Sequence, residues 1–247
     1  MRIRLTLQPV AREEIFPINY QYPLSSAIYK ILANASPGYA SFLHKKGYTT
    51  AKGKPLKLFT FSKLFSTGIH RFRSSLIVKN NQVCSLLISS PMLDDFVQNF
   101  VTGLFEKQTL EIGGPHSVGH FTISQVETLK PPVLSGEMKF TSVSPIISST
   151  VHKHRGKLSQ YYFRPGDHRL TDVLAKNLQQ KYEIIHNKPA TNLNIEFIAD
   201  LEYVRRREQA GKRVTKKITI KEGDDANATD VISFELPFVL RGDRKSG

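Results

Sequence analysis

Three side chains in the first quarter of the chain have the types and spacing for proton-transfer chemistry: Tyr29, His44 and Lys57. Histidine is the side chain best tuned to move protons near neutral pH. Lysine supplies a fixed positive charge to a developing anion. Singly, an exposed histidine or tyrosine says little. Together the three fit RNA cleavage without a metal. That reaction deprotonates a 2′-hydroxyl, which attacks the neighbouring phosphate. It also needs a proton for the departing 5′-oxygen and a cation beside the phosphorane. The chain has no P-loop, zinc spacing, nucleophile elbow or dinucleotide fingerprint. His152 and His154 form an H-x-H pair without a nearby Cys or carboxylate, a weak metal site. Beside Lys153 and Arg155 they read better as an RNA-facing basic segment. No metal and no cofactor is expected.

Two helices and a loop must position the three. Leu24, Ala27, Ile28, Ile31 and Leu32 follow the spacing of an amphipathic helix. At about 100° per residue, Tyr29 falls off that apolar stripe, on the side of Tyr22. Ser36-Pro37 is a good cap and first-turn pair for a second helix, and Gly47 a good stop. Tyr39, Phe42 and Leu43 are expected to be buried there, with His44 off the stripe in the last turn. Residues 48–57 form a basic Gly/Pro loop with Lys52, Lys54 and Lys57. A strand begins at Leu58.

The rest of the chain supplies the frame. Residues 2–9 alternate as a half-buried strand, with Ile3, Leu5 and Leu7 on one face. Ile69–Lys79 and Val83–Ser89 read as strands joined at Asn80-Asn81, and Gly113-Gly114 as a turn. Ser90-Pro91 opens a helix, with Leu93, Phe96, Val97, Phe100, Val101, Leu104 and Phe105 at helical spacing. Phe121–Leu129 is a further strand. The order is β-α-β-β-α-β, a ferredoxin-like arrangement, and Lys130-Pro131-Pro132 marks a boundary. The expected fold is therefore α+β with two tandem ferredoxin-like (RRM-like) domains, 1–130 and 131–247. The second begins with a strand at Glu137–Val143 and a helix from His168 to about His186 that Asp167 could cap. It continues with strands at Leu193–Arg205 and Val231–Leu240. It reads as short of its last helix and strand.

Charge narrows the partner. The chain carries 35 Lys+Arg against 21 Asp+Glu, a net +14, with +8 in residues 1–130 and +6 in 131–247. An excess spread over both halves suits a broad polyanion-binding surface. Arg205–Lys221 holds eight basic residues and one acid and hints at a basic β-ribbon. Like charges in one segment repel unless an anion neutralises them. The candidate RNA-binding residues are Lys52, Lys54, Arg71, Arg73, Lys153, Arg155, Arg205, Arg206, Arg207, Lys212, Arg213, Lys216 and Lys217. No apolar run approaches bilayer length, and the N-terminus reads as a strand rather than a signal peptide. The single Cys84 lies in an apolar run and reads as a buried, inert thiol. A cytoplasmic protein without a membrane partner is expected.

The strings Q-Y-P-L-S-S-A-I-Y-K, Y-A-S-F-L-H and K-L-F-T-F-S in residues 21–62 resemble the N-terminal part of the CRISPR-associated endoribonucleases of the Cas-six family, in the RAMP superfamily. F-T-S-V-S-P-I at 140–146 and L-Q-Q-K-Y at 178–182 resemble its second domain. The resemblance implies tandem ferredoxin-like domains and cleavage of the CRISPR repeat in a precursor transcript to release guide RNAs. It implies no metal ion, and a 2′,3′-cyclic phosphate and 5′-hydroxyl as product ends. By the same resemblance His44 is the proton-transfer residue, Tyr29 contacts or deprotonates the 2′-hydroxyl, and Lys57 stabilises the phosphorane. Repeat RNA is then the partner, with other CRISPR effector subunits as further candidates and the chain a monomer or homodimer. The rival expectations are a repeat-RNA-binding module that does not cleave, alone or within a larger complex or fusion, and a general basic nucleic-acid binder.

Overall fold

The computed structural model describes residues 1–50, 53–154, 157–190, 194–224 and 226–242, with Lys153, His154 and Lys157 described at the backbone only. The chain divides into two compact units, Met1–Pro131 with Ile220–Thr229, and Pro132–Thr219 with the residues from Asp230 onward. Both combine helices with antiparallel sheets, an α+β class. Among the described residues, no helix is long and apolar enough to cross a membrane.

The first unit runs β1 (Arg2–Pro9), β2 (Glu13–Pro17), α1 (Gln21–Ala35), α2 (Pro37–Lys45), β3 (Tyr48–Thr49), β4 (Pro55–Leu56) and β5 (Thr60–Phe61). It continues β6 (His70–Phe72), β7 (Ser75–Lys79), β8 (Cys84–Ser89), α3 (Gln98–Glu106), β9 (Thr109–Gly113) and β10 (Val118–Leu129). Its main sheet has the order β5-β8-β1-β10-β9, and every neighbouring pair is antiparallel. β1 is central because its alternation supplies one wholly apolar face. Ile3, Leu5 and Leu7 are buried on that face. They join one cluster with Leu24, Ala27, Ile28, Ile31 and Leu32 of α1 and Phe100 and Leu104 of α3. Those α1 residues are the ones its 3.6-residue period selects. Gly103 lets α1 and α3 touch: a Cβ there would stand 2.0 Å from the Ile31 carbonyl oxygen.

Several expectations for this unit need correction. Ile69–Lys79 is a hairpin, not one strand, because the chain reverses at Arg73-Ser74. β7 pairs with β2 and β6 in a separate three-stranded sheet, whereas β8 pairs with β1, so Asn80-Asn81 does not join paired neighbours. The helix after Pro91 opens with a π-helical turn, Leu93–Val97, before α3 proper. Phe42 is 37% exposed and Tyr39 is half-buried; α2 buries Leu43, as expected, together with Ala40. Residues 48–57 are not simply a loop, since β3 and β4 pair within them.

The second unit runs β11 (Glu137–Thr141), β12 (Ser149–His154), β13 (Lys157–Tyr162), α4 (Leu170–His186), β14 (Ile195–Ala199) and α5 (Leu201–Gln209). β15 (Thr215–Ile220), β16 (Thr229–Phe234) and β17 (Pro237–Gly242) follow. β17 lies between β11 and β14, while β12–β13 and β15–β16 form separate hairpins. Phe163, Leu170, Phe197, Phe234 and Leu236 form its buried cluster. Asp167 does not stand at the cap position of α4, which Arg169 takes; two residues earlier, its carboxylate accepts the Arg169 amide. The strand expected over 193–205 ends at Ala199, because Asp200 caps a new helix by accepting the Tyr203 amide at 2.8 Å. Arg205, Arg206 and Arg207 are therefore helical, and the basic β-ribbon begins only at Thr215. The strand expected over 231–240 is two strands in different sheets. Pro237 has no amide to donate and stands where the second begins.

Candidate active site

The site is built at the end of α2. The N-cap is Ser36, whose hydroxyl accepts the Tyr39 amide at 3.3 Å. At the other end the amides of Lys46 and Gly47 both bond to the Phe42 carbonyl, at 2.9 and 2.8 Å. A helix leaves its last carbonyls without amide partners. Lys57 takes two of them: its Nζ donates to the Leu43 oxygen at 2.6 Å and the His44 oxygen at 2.7 Å. Gly47 makes this closure possible. It is left-handed at φ +66°, and a Cβ would stand 2.7 Å from the Leu56 carbonyl oxygen. The β3–β4 pairing then returns the chain against the helix end, with Lys57 directly after it.

Leu58, the next residue, is buried and left-handed at φ +50°. That conformation costs a side-chain-bearing residue about 1–2 kcal/mol. The buried Ser90 hydroxyl holds it by donating to the Leu58 carbonyl at 2.8 Å. The reversal aims Phe59 at Tyr29, ring edge to ring face at 5.7 Å, and stacks it on Phe96 at 4.8 Å. On its other side the Tyr29 ring meets the exposed His44 ring at 5.2 Å, nearly perpendicular. Tyr29, His44 and Lys57 are thus brought together. Tyr29 is fixed by packing, and His44 by its contact with Tyr29 and by the lysine clamp on its backbone.

Electrostatics separates the three. Burial, and secondarily Tyr39, raises the Tyr29 phenol above its ordinary value, so it keeps its proton at neutral pH. Burial lowers the Lys57 ammonium. A chain of hydroxyls runs alongside. The Tyr39 and Tyr48 hydroxyls are 3.2 Å apart, and Tyr48 donates to Asp95 Oδ2 at 2.8 Å. Burial first, then Tyr39 and Asp95, pushes the Tyr48 phenol well up. This chain ties α2 and β3 to the turn that opens α3. Sequence reading saw Leu58 and Phe59 only as the start of a strand and Ser90 only as the opening of a helix, and assigned Asp95 nothing in the site. All four depend on tertiary closure. An N-terminal acid and a strand-like L-F-T-F were the signals on offer.

The other candidates scatter. Lys52 and Arg155 lie outside the described residues, and only the backbone of Lys153 is described. Lys54 is exposed in a turn whose amide bonds to the Thr50 hydroxyl at 3.0 Å. Arg71 and Arg73 are exposed at the β6–β7 turn. Arg205 and Arg206 are exposed on α5. Lys212, Arg213, Lys216 and Lys217 line a cavity of ≈ 610 Å³ with Arg164, which sequence reading missed. Lys216 pairs with Glu235 at 3.2 Å and Lys217 with Asp230 at 2.8 Å, so Lys212, Arg213 and Arg164 carry most of its positive charge, against the Glu208 carboxylate that also lines it. No group of three or more His, Cys, Asp or Glu with metal-binding geometry occurs among the described residues.

Comparison with known proteins meets this geometry. The family described as "CRISPR-associated protein Cas6, N-terminal" matches residues 15–127, and "CRISPR associated protein Cas6, C-terminal" matches residues 129–246. The "CRISPR-associated endoribonuclease Cas6 1" of Methanocaldococcus jannaschii is 32% identical over 80% of this chain and 71% of its own. A "CRISPR-associated endoribonuclease Cas6" of Pyrococcus furiosus is 24% identical over 80% of this chain and 70% of its own. A solved structure titled "CRISPR associated protein Cas6" superposes with a TM-score of 0.69 at 27% identity, covering 99% of this chain and 88% of that one. Both halves match in order and at the level of sequence: the chain belongs to the Cas6 family of CRISPR-associated proteins.

Proposed function

We propose that the chain is a metal-independent endoribonuclease that cuts the CRISPR repeat in a precursor transcript and releases guide RNAs. The observation that carries this is the Tyr29–His44–Lys57 constellation at the C-terminal end of α2. Relatives named as endoribonucleases support it. In the proposed step the 2′-oxygen bonds to phosphorus and the P–O5′ bond breaks. The 2′-hydroxyl loses a proton and O5′ gains one. The products are a 2′,3′-cyclic phosphate and a 5′-hydroxyl. His44 moves a proton in this exchange, its ring held edge-on by Tyr29. Tyr29 contacts the 2′-hydroxyl and orients His44 rather than acting as a base, since burial keeps its phenol protonated. Lys57 brings positive charge to the phosphorane with the N–H that its two carbonyl partners leave over. The repeat RNA lies along the basic side chains of both units. The sheet orders β5-β8-β1-β10 and β11-β17-β14 support tandem ferredoxin-like units.

The test is incubation with the host's repeat RNA in the presence of a chelator, with analysis of the ends. Cyclic-phosphate and 5′-hydroxyl ends are expected. A 5′-phosphate product, or cleavage abolished by the chelator, contradicts the proposal. One observation favours a non-cleaving repeat-RNA-binding protein: two of the three Lys57 protons are committed to carbonyls of α2. That alternative predicts tight, salt-sensitive binding and no product in the same assay.

A further inference from the structure

The β6–β7 hairpin presents an arrangement that the acid–base site does not use. All three residues of β6, His70, Arg71 and Phe72, are exposed, and Phe72 keeps 49% of its surface bare. Arg73 opens the two-residue turn at φ +54°, a position that such turns normally give to asparagine, aspartate or glycine. Its guanidinium lies over the Phe72 ring, 5.4 Å from the centroid. Arg71 Nε donates to the Arg73 carbonyl at 3.2 Å, which ties the tip to itself. From His70 to Lys79 the sequence has no acidic residue.

Edge-strand protection accounts for part of this. β6 is the outer strand of its sheet, and charges at an edge discourage pairing with other chains. A half-bare phenyl ring works against that purpose, so protection explains the arginines and leaves Phe72 unexplained. Packing does not explain it either, because β6 buries none of its residues. A half-exposed phenyl ring with a guanidinium over it is, however, what an unpaired nucleobase stacks on. The base stacks on the ring and guanidinium together, and a second arginine meets the adjoining phosphate.

We propose that Phe72 and Arg73 form a stacking platform for an unpaired base of the bound RNA, with Arg71 on the adjoining phosphate. This rests on the RNA-binding reading above and adds a requirement: the contacted segment is single-stranded, because a duplex hides its base faces.

The chain has no tryptophan, so Phe72→Trp places a lone indole reporter at the tip. The full chain carrying Phe72→Trp is titrated with a labelled single-stranded oligoadenylate, and indole emission and RNA anisotropy are followed together. The platform predicts emission quenched in parallel with binding by the single strand and unmoved by a paired RNA duplex. Phe72→Ala and Phe72→Leu should each weaken oligoadenylate binding on the order of tenfold, with Phe72→Trp retaining it. The leucine arm separates stacking from apolar contact. Unmoved emission while anisotropy reports saturation overturns the platform, as does Phe72→Leu binding like the unsubstituted protein. Either result leaves the endoribonuclease proposal standing if the unsubstituted protein still cuts repeat RNA. An unsubstituted protein that binds no RNA overturns both.

Discussion

β1 and β17 are both inner strands of antiparallel sheets, yet their burial differs sharply. β1 turns Ile3, Leu5 and Leu7 into the core at 2% exposure or less. No residue of β17 is fully buried. The first unit closes two helices over its sheet, tightly enough that Gly103 must lack a side chain. The second covers its sheet thinly and spends its sequence on hairpins and an arginine-rich helix. On the proposed function, the difference divides the labour. A proton-transfer constellation needs side chains held to a fraction of an ångström, which a deep core supports. A phosphate-binding surface needs charge in roughly the right place, which a thin scaffold supplies.

The largest expected effects test that division. His44→Ala should lower the cleavage rate by about 10²–10⁴-fold and leave RNA affinity nearly unchanged. An unchanged rate removes His44 from the chemistry. Lys212→Gln with Arg213→Gln should do the reverse. Affinity falls, and the slope of log affinity against log salt decreases by about 0.7 for each single-strand phosphate that is no longer neutralised, while the rate at saturating RNA holds. If the rate at saturation falls instead, the second unit takes part in the chemistry and the division breaks down.

Stability should follow the same contrast. Gly103→Ala forces α1 from α3 and should cost about 1–3 kcal/mol. Met138→Ala, on the half-buried face of β11, should cost clearly less than a fully buried truncation, on the order of 1 kcal/mol. Chemical denaturation reads both, and a larger loss for Met138→Ala than for Gly103→Ala would erase the distinction between the two cores. Hydrogen exchange should likewise protect β1 amides more than those of β17.

The smallest effect concerns acid. Arg169, then Tyr161 through a hydroxyl bond of 2.6 Å, holds the Asp167 carboxyl well below its ordinary value. A depressed carboxylate stabilises the fold above its unfolded pKa of about 3.9 and loses that contribution as pH falls toward the folded value. Thermal melts should therefore weaken below about pH 4. Asp167→Asn should lower stability at neutral pH and flatten that acid dependence, and an unchanged acid profile would detach this network from stability.

Much of the first unit was legible because its burial is strong and periodic. The alternation of β1, the stripe of α1 and the Ser36 cap fix helical phase, and phase turns Tyr29 and His44 off the apolar stripe. Phe42 was misread because an aromatic at helical spacing looks like core, whereas here it leans on Tyr48 at 5.4 Å. The Lys57 clamp and the left-handed Leu58 were not legible. Both depend on the Gly47 closure and on Ser90, far along the chain. In the second unit α5 was hidden by its polarity: it buries no residue, so no apolar period marks it, and the Asp200 cap was the one available signal.

On the proposed mechanism a 2′-hydroxyl is the nucleophile, and α2 and its neighbours serve it. The most direct measurement compares the host's repeat RNA with the same strand carrying a 2′-deoxynucleotide immediately 5′ of the scissile phosphate, both in chelator. The ribose strand should be cut to a cyclic phosphate and the deoxy strand should bind equally well and stay whole. Cleavage of the deoxy strand would contradict the mechanism.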